Sequence, residues 1–249
     1  MGLLAKAALR AERFPDEAFA AECSGINLYS EHSLHSSIKE RLARPGDRLE
    51  ARVEGKVVDL VRSDGELVEV QTRGLGKIAP KVLSFAASGR RVRVVHPIVV
   101  EKTIRRLDPK TEELVSTRRS PKSCDLYDLF EELARATGLI AARNVTVEAL
   151  LVRVAEVKLR DGSGSWRRRG DRVVDRELVE VISSRSFRTK GQWLGLIPKG
   201  LSAPWSSASL GERLGIESER ARKILYCLAK AGLLKEAGKD GKRKLYEMA

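Results

Sequence analysis

The chain has 249 residues, 42% of them hydrophobic and 33% charged, with a formal net charge of +13 and a pI near 9.9. That length supports one large domain or two ordinary ones, and the apolar fraction is enough for packed cores. The positive balance points to an anionic partner, with nucleic acid ahead of a membrane because the basic residues are spread along the chain and no apolar run reaches spanning length.

In chain order, residues 1–14 set Lys6, Arg10, Glu12 and Arg13 among Leu and Ala, an amphipathic helix pattern too short and interrupted for a signal peptide. Residues 31–42 read as a second helix, with Leu34, Ile38 and Leu42 as apolar stripe and Glu31, His35 and Lys39 as a polar stripe beside it. Pro45-Gly46 ends it. Three short strands follow at 49–53, 56–62 and 66–72, separated by Gly55 and Gly65. Residues 80–88 predict a short helix with Pro80 near its start. Residues 91–95 predict a β-branched strand that 96–100 continues, and a strand at 112–117 leads into the basic stretch Arg118-Arg119-Ser120-Pro121-Lys122.

Residues 125–137 predict one amphipathic helix, with Leu126, Leu129, Phe130 and Leu133 apolar and Gly138 at its C-terminal end. Residues 145–159 alternate strongly and predict a long strand, which 173–183 joins as a hairpin across the basic loop 161–170. The last segment reads as a winged helix. Ser209-Leu210-Gly211-Glu212 is a capping box opening a short helix, and Gly215-Ile216 makes the turn. Ser218 caps a helix over 219–231 with Ala221, Ile224, Leu225 and Leu228 inward, and Gly232 stops it. Strands at 233–236 and 244–246 flank a Gly/Lys-rich wing. The three cysteines, Cys23, Cys124 and Cys227, lack zinc spacing and form no disulfide framework. They fit a reducing, cytoplasmic setting.

The chemistry lies in residues 59–71. Ser63-Asp64-Gly65 is a turn signal between two β-rich runs. A three-residue loop there pairs Arg62 with Glu66, and counting back pairs Asp59 with Glu69. Glu69 and Gln71 share one face, Val68 and Val70 the other. Opposed carboxylates repel, and a divalent cation is the natural compensation. A similar wording at 173–181 sets Asp175 and Glu180 five residues apart with no turn between them, so that stretch is a structural strand.

Asp59, ten residues, then Glu69-x-Gln71, preceded by a helix bearing Glu31, resembles the PD-(D/E)XK nuclease superfamily, which includes restriction endonucleases and archaeal Holliday-junction resolvases. The resemblance covers roughly residues 27–98. It implies an α/β restriction-endonuclease-like αβββαβ core, with Asp59 and Glu69 as ligands of Mg2+ or Mn2+. Glu31 corresponds to the additional helix carboxylate of the resolvase-like branch. Gln71 stands where that superfamily usually has Lys, and its amide can orient a water but carries no charge. Lys77, at the start of the following helical region, is a candidate substitute cation. Double-strand cutting in that superfamily implies a homodimer.

The chain therefore divides into a nuclease-like domain at 1–123, an α+β connecting helix and hairpin at 124–185, and a C-terminal winged helix at 186–249. DNA is the expected partner, with no membrane. Arg118, Arg119 and Lys122 are candidates for phosphate contact. Arg167, Arg168 and Arg169, beside Trp166, are candidates for a groove or an unpaired base. Arg220, Arg222 and Lys223 lie off the apolar stripe of their helix, where they would face a major groove, and Lys242 and Arg243 stand on the wing. The leading expectation is a metal-dependent DNA endonuclease. The alternative is a DNA-binding regulator or repair/defence accessory protein whose nuclease-like core is inactive.

Overall fold

Helix α1 (Ser33–Leu42) buries Leu34 and Ile38, the i and i+4 positions of its apolar stripe. Strands β1 (Arg48–Val53), β2 (Lys56–Val61) and β3 (Leu67–Val70) follow as an antiparallel meander. Helix α2 (Leu75–Ala87) then carries the chain across to β4 (Val92–Leu107), which lies parallel to β3. The element order from α1 to β4 is thus αβββαβ. The structure is a computed structural model and describes residues 33–163, 171–201 and 203–249.

β4 runs for 16 residues, pairing with β3 through Val92–Val95 and with β5 (Leu114–Arg119) through 103–107. β6 (Val145–Leu159) and β7 (Arg172–Phe187) complete a seven-stranded mixed sheet of order β1-β2-β3-β4-β6-β7, with β5 beside β4. The protein is therefore mixed α/β. Its residues form two compact units, each discontinuous in sequence. One gathers 33–42, 97–125 and the described residues of 150–185; the other gathers 43–96, 126–149 and the described residues of 186–249.

In the first unit, Leu107, Val157, Leu159 and Val174 form an apolar cluster. Beside these apolar residues lies buried charge. Glu156 is 4% exposed and is met by Lys102 at 3.3 Å, Lys158 at 3.4 Å and Arg176 at 3.1 Å. A buried carboxylate left without such partners would be strongly destabilising. Ser33 at the start of α1 donates to Asp175 of β7. Burial pushes the Asp175 carboxyl above its ordinary range, and the Ser33 hydrogen bond offsets part of that.

In the second unit, α2 buries Leu75, Ala79, Val82 and Phe85. It begins five residues earlier than the sequence predicts and carries Pro80 in its interior rather than near its start. The early start has a remote cause. Gly74 is left-handed at φ 70°, and Glu132 accepts hydrogen bonds from Gly74 N at 2.6 Å and Leu75 N at 3.0 Å. Those donors would otherwise be orphans of the first helical turn.

The single helix predicted over 125–137 is instead three short pieces, a 3-10 turn Leu126–Asp128, α3 (Leu129–Leu133) and α4 (Gly138–Ala141). Gly138 opens α4 rather than closing a helix; a Cβ there would stand 3.2 Å from Leu83 of α2. α5 (Lys190–Leu194) starts at a Thr189–Gln192 capping box. It places Trp193 against Phe187, stacked at 4.3 Å, and edge-on to Phe130 at 6.2 Å.

The C-terminal part is a helix–turn–helix followed by a hairpin. α6 (Ser207–Leu214) is opened by a Ser206–Ser209 capping box, three residues ahead of the expected one. Gly215 makes the turn at φ 66°, and a Cβ on Gly211 would lie 2.9 Å from the Ile216 carbonyl oxygen, so both positions favour glycine. α7 (Ser218–Lys230) follows, then β8 (Leu234–Asp240) and β9 (Arg243–Met248), strands longer than predicted that meet at a tight Gly241-Lys242 turn. Trp205 bridges to Tyr246 outside the hairpin.

Candidate active site

The β2–β3 hairpin has the register that its loop sets. Arg62 N donates to the Glu66 carbonyl at 2.9 Å, and Leu60 and Val61 face Val68 and Leu67. Continued one step, that register would set Asp59 across from Glu69. There the ladder stops: no further rung joins β2 to β3. The Val70 N–H, which a continued ladder would give to a main-chain carbonyl of β2, goes to Asp59 Oδ2 at 2.8 Å. The Asp59 carboxylate thus sits where two strands part, half-buried and held by a backbone donor.

β3 is secured on its other side, where Leu67 N and Gln71 N donate to the Arg91 and Val95 carbonyls, each at 2.9 Å. The position of Glu69 is therefore set by β4. Its side chain is buried, and Lys81 of α2 meets Glu69 Oε1 at 2.6 Å. Lys81 Nζ also donates to the Val57 carbonyl at 2.6 Å, which ties the helix across β2 and β3. Lys77, the substitute cation suggested by the sequence, lies one turn earlier, and its N–H closes the first turn onto the Gly74 carbonyl.

Gln71 follows β3, and its Nε2 donates to the Arg73 carbonyl. Its own carbonyl accepts from His96 Nδ1 at 2.7 Å. Because a carbonyl only accepts, Nδ1 carries the proton. Burial holds His96 below the ordinary histidine range, although the Gln71 carbonyl and Glu132 both pull it up, so it is neutral at pH 7. Sequence reasoning misses His96 as a neighbour of the site because nothing in its spacing from Gln71 marks it; the contact is made by the parallel β3–β4 pairing.

No group of three His, Cys, Asp or Glu that could hold a metal ion occurs among the described residues. Two carboxylates do not suit zinc, which takes three or four protein ligands, or calcium, which takes about six to eight oxygens. They do suit magnesium, which is commonly held by one or two carboxylates and keeps several waters. Glu31 lies outside the described residues, as do Trp166, Arg167, Arg168 and Arg169.

The remaining basic candidates fall into two groups. Arg118 and Arg119 belong to β5, exposed along its whole length, with Arg119 paired to Glu101 at 3.2 Å; Lys122 is exposed just beyond it. On α7, Arg220 pairs with Asp128 at 3.2 Å and Lys223 with Glu131 at 2.6 Å, so both are engaged by the helical segment that covers this side of α7. Cys227 on the same helix donates to the Phe130 carbonyl at 3.8 Å. Arg220 and Lys223 lie off the apolar stripe as expected, and the segment that engages them is distant in sequence. Arg222, Tyr226 and Lys230 are exposed on α7, and Lys242 and Arg243 are exposed at the hairpin tip.

A family model described as Domain of unknown function (DUF8091) matches residues 32–188. A protein of Treponema pallidum (strain Nichols), described as an uncharacterized protein, is 30% identical over 222 residues, covering 89% of this chain and 86% of that protein. No solved structure matches the chain.

Proposed function

The chain belongs to the family described as Domain of unknown function (DUF8091), and we propose that this member is a magnesium-dependent DNA endonuclease of the PD-(D/E)XK type. The observation that carries the reading is the parting of β2 and β3 at Asp59, opposite a buried Glu69 that Lys81 meets at 2.6 Å. The αβββαβ order is what the resemblance implies for such a core.

Asp59 and Glu69 would hold the ion. The bound ion supplies positive charge that favours ionisation of a water and offsets charge on the phosphoryl oxygens. Gln71 is held through its backbone N–H and carbonyl, and with Nε2 given to the Arg73 carbonyl its Oε1 would accept from a water. The cation that the superfamily usually carries two residues after the Glu comes here from a helix. Lys81 places its ammonium at Glu69 and compensates for the neutral Gln71. Arg222 on α7 and Lys242 and Arg243 on the hairpin tip, in a winged-helix arrangement, would supply sequence-independent contacts to duplex phosphates.

A second reading has its own support. The same Lys81–Glu69 contact occupies one oxygen of a would-be ligand, which favours a DNA-binding protein with an inactive core. Incubation of plasmid, branched and single-stranded DNA with Mg2+ or Mn2+ separates the two. The nuclease reading expects cutting of at least one substrate, abolished by a chelator. Tight duplex binding with no cutting of any of them would select the regulator instead.

A further inference from the structure

We propose that an arginine-lined cleft at β1 and the β2–β3 turn is a second site, binding a backbone phosphate of the nucleic-acid strand; this rests on the reading that the chain acts on DNA. The cleft holds about 590 Å³ and is lined by Arg48, Arg52, Arg62 and Arg90, with Glu54 as its one acidic wall residue. A pocket for an apolar ligand would be lined mainly by hydrophobic and aromatic side chains; this one presents guanidinium groups, which match phosphate oxygens in forked geometry.

Two of the four arginines are already neutralised. Arg62 pairs with Asp47, and Arg90 pairs with Glu54 at 3.2 Å. Arg62 is 8% exposed, so it forms a fixed back wall. Arg48 and Arg52 are exposed and make no ion pair among the described residues. A concave wall with uncompensated positive charge focuses the field on an incoming anion.

The register ties this cleft to the carboxylates. Arg48 faces Val61 and Arg52 faces Val57 across the β1–β2 ladder. Residues directly opposite share a face, and 57, 59 and 61 share one face of β2. By that register Arg48 and Arg52 lie to either side of Asp59, with the left-handed Glu50 between them on β1. Val61 and Leu67, which also line the cleft, are on β2 and β3 beside Asp59 and Glu69 in sequence. A strand whose phosphodiester lies at Asp59 would set a neighbouring phosphate in the cleft. Nothing in the sequence marks these arginines, because Arg48 and Arg52 alternate with apolar residues as on any solvated strand.

The test is fluorescence anisotropy of labelled duplex and single-stranded oligonucleotides, in Mg2+-free buffer across a salt series, with the full chain and with Arg48→Gln/Arg52→Gln. Circular dichroism melting checks that the variant is folded. The proposal expects affinity to fall about tenfold or more and the slope of log K against log salt to shrink by about 1, for the one phosphate no longer neutralised. Wild-type binding with an unchanged affinity and slope in a folded variant would overturn the cleft and leave the nuclease reading intact. No oligonucleotide binding by the wild type would overturn both. Competition by inorganic phosphate and by a nucleoside monophosphate forms the last arm. If the substitutions abolish nucleotide binding while leaving oligonucleotide binding unchanged, the ligand is a free nucleotide and the strand assignment fails.

Discussion

Lys81→Met keeps the length of the side chain and removes the cation that meets Glu69 at 2.6 Å. At that separation the gross attraction is about 6 kcal/mol for an effective dielectric near 20, and desolvation of both groups offsets much of it. What matters for the variant is the charge left behind. Glu69 has a side chain only 5% exposed, while Lys81 is 27% exposed and keeps some water. Removing one partner of a fully buried pair costs about 3–5 kcal/mol, so this partly wetted pair should cost about 2–3 kcal/mol. Urea unfolding at pH 7 reads the loss, and Glu69→Gln completes a double-mutant cycle. The expected coupling is above about 1 kcal/mol, because the doubly substituted protein no longer buries an unpaired carboxylate. A loss under about 0.5 kcal/mol for Lys81→Met, or two losses that simply add, would refute the reasoning.

His96 is neutral in the fold because burial depresses its pKa. Below its ordinary value of 6.5 the unfolded chain binds a proton that the folded chain does not, so stability should decline as pH falls from there toward the lower folded value. Thermal unfolding at pH 7 and pH 5.5 should show that decline in the wild type and a smaller one in His96→Asn, which keeps a donor for the Gln71 carbonyl. Burial, with Glu131 nearby, pushes the Cys227 thiol up to about 12. Iodoacetamide followed by mass spectrometry should leave Cys227 unmodified until the protein is unfolded. Gln71→Lys introduces the residue usual in the nuclease superfamily that the chain resembles and, on the proposed function, should retain or raise DNA cutting; a cutting assay that finds complete loss would mean that the Gln71 amide has no lysine equivalent at this site.

How much was legible depended on how local the cause was. β6 coincides with its predicted range because its run of β-branched and apolar residues is local to the strand, although both of its faces are buried rather than one. The β2–β3 register was legible because Ser63-Asp64-Gly65 fixes it within a few residues. The parting of those strands was not, since it depends on Asp59 taking the Val70 N–H in place of a main-chain partner. Lys81 escaped notice for a related reason. It lies twelve residues after Glu69 on a different element, and only the packing of α2 on the sheet brings them together. The start of α2 was set by Glu132, some 58 residues from Gly74. The break in the 125–137 helix was likewise tertiary, with Gly138 pressed against Leu83. The pairing of Arg220 and Lys223 with Asp128 and Glu131 also joins distant segments, which a helical wheel of α7 alone does not contain.

The central claim is that Asp59 and Glu69 hold the ion that makes this chain a nuclease. Its most direct measurement is the initial rate of plasmid nicking in Mg2+ by the wild type and by Asp59→Asn at matched protein and DNA concentrations. The account predicts nicking by the wild type and a loss of about a hundredfold or more in Asp59→Asn, with the variant still folded and still binding DNA. Nicking that Asp59→Asn retains in full would contradict it.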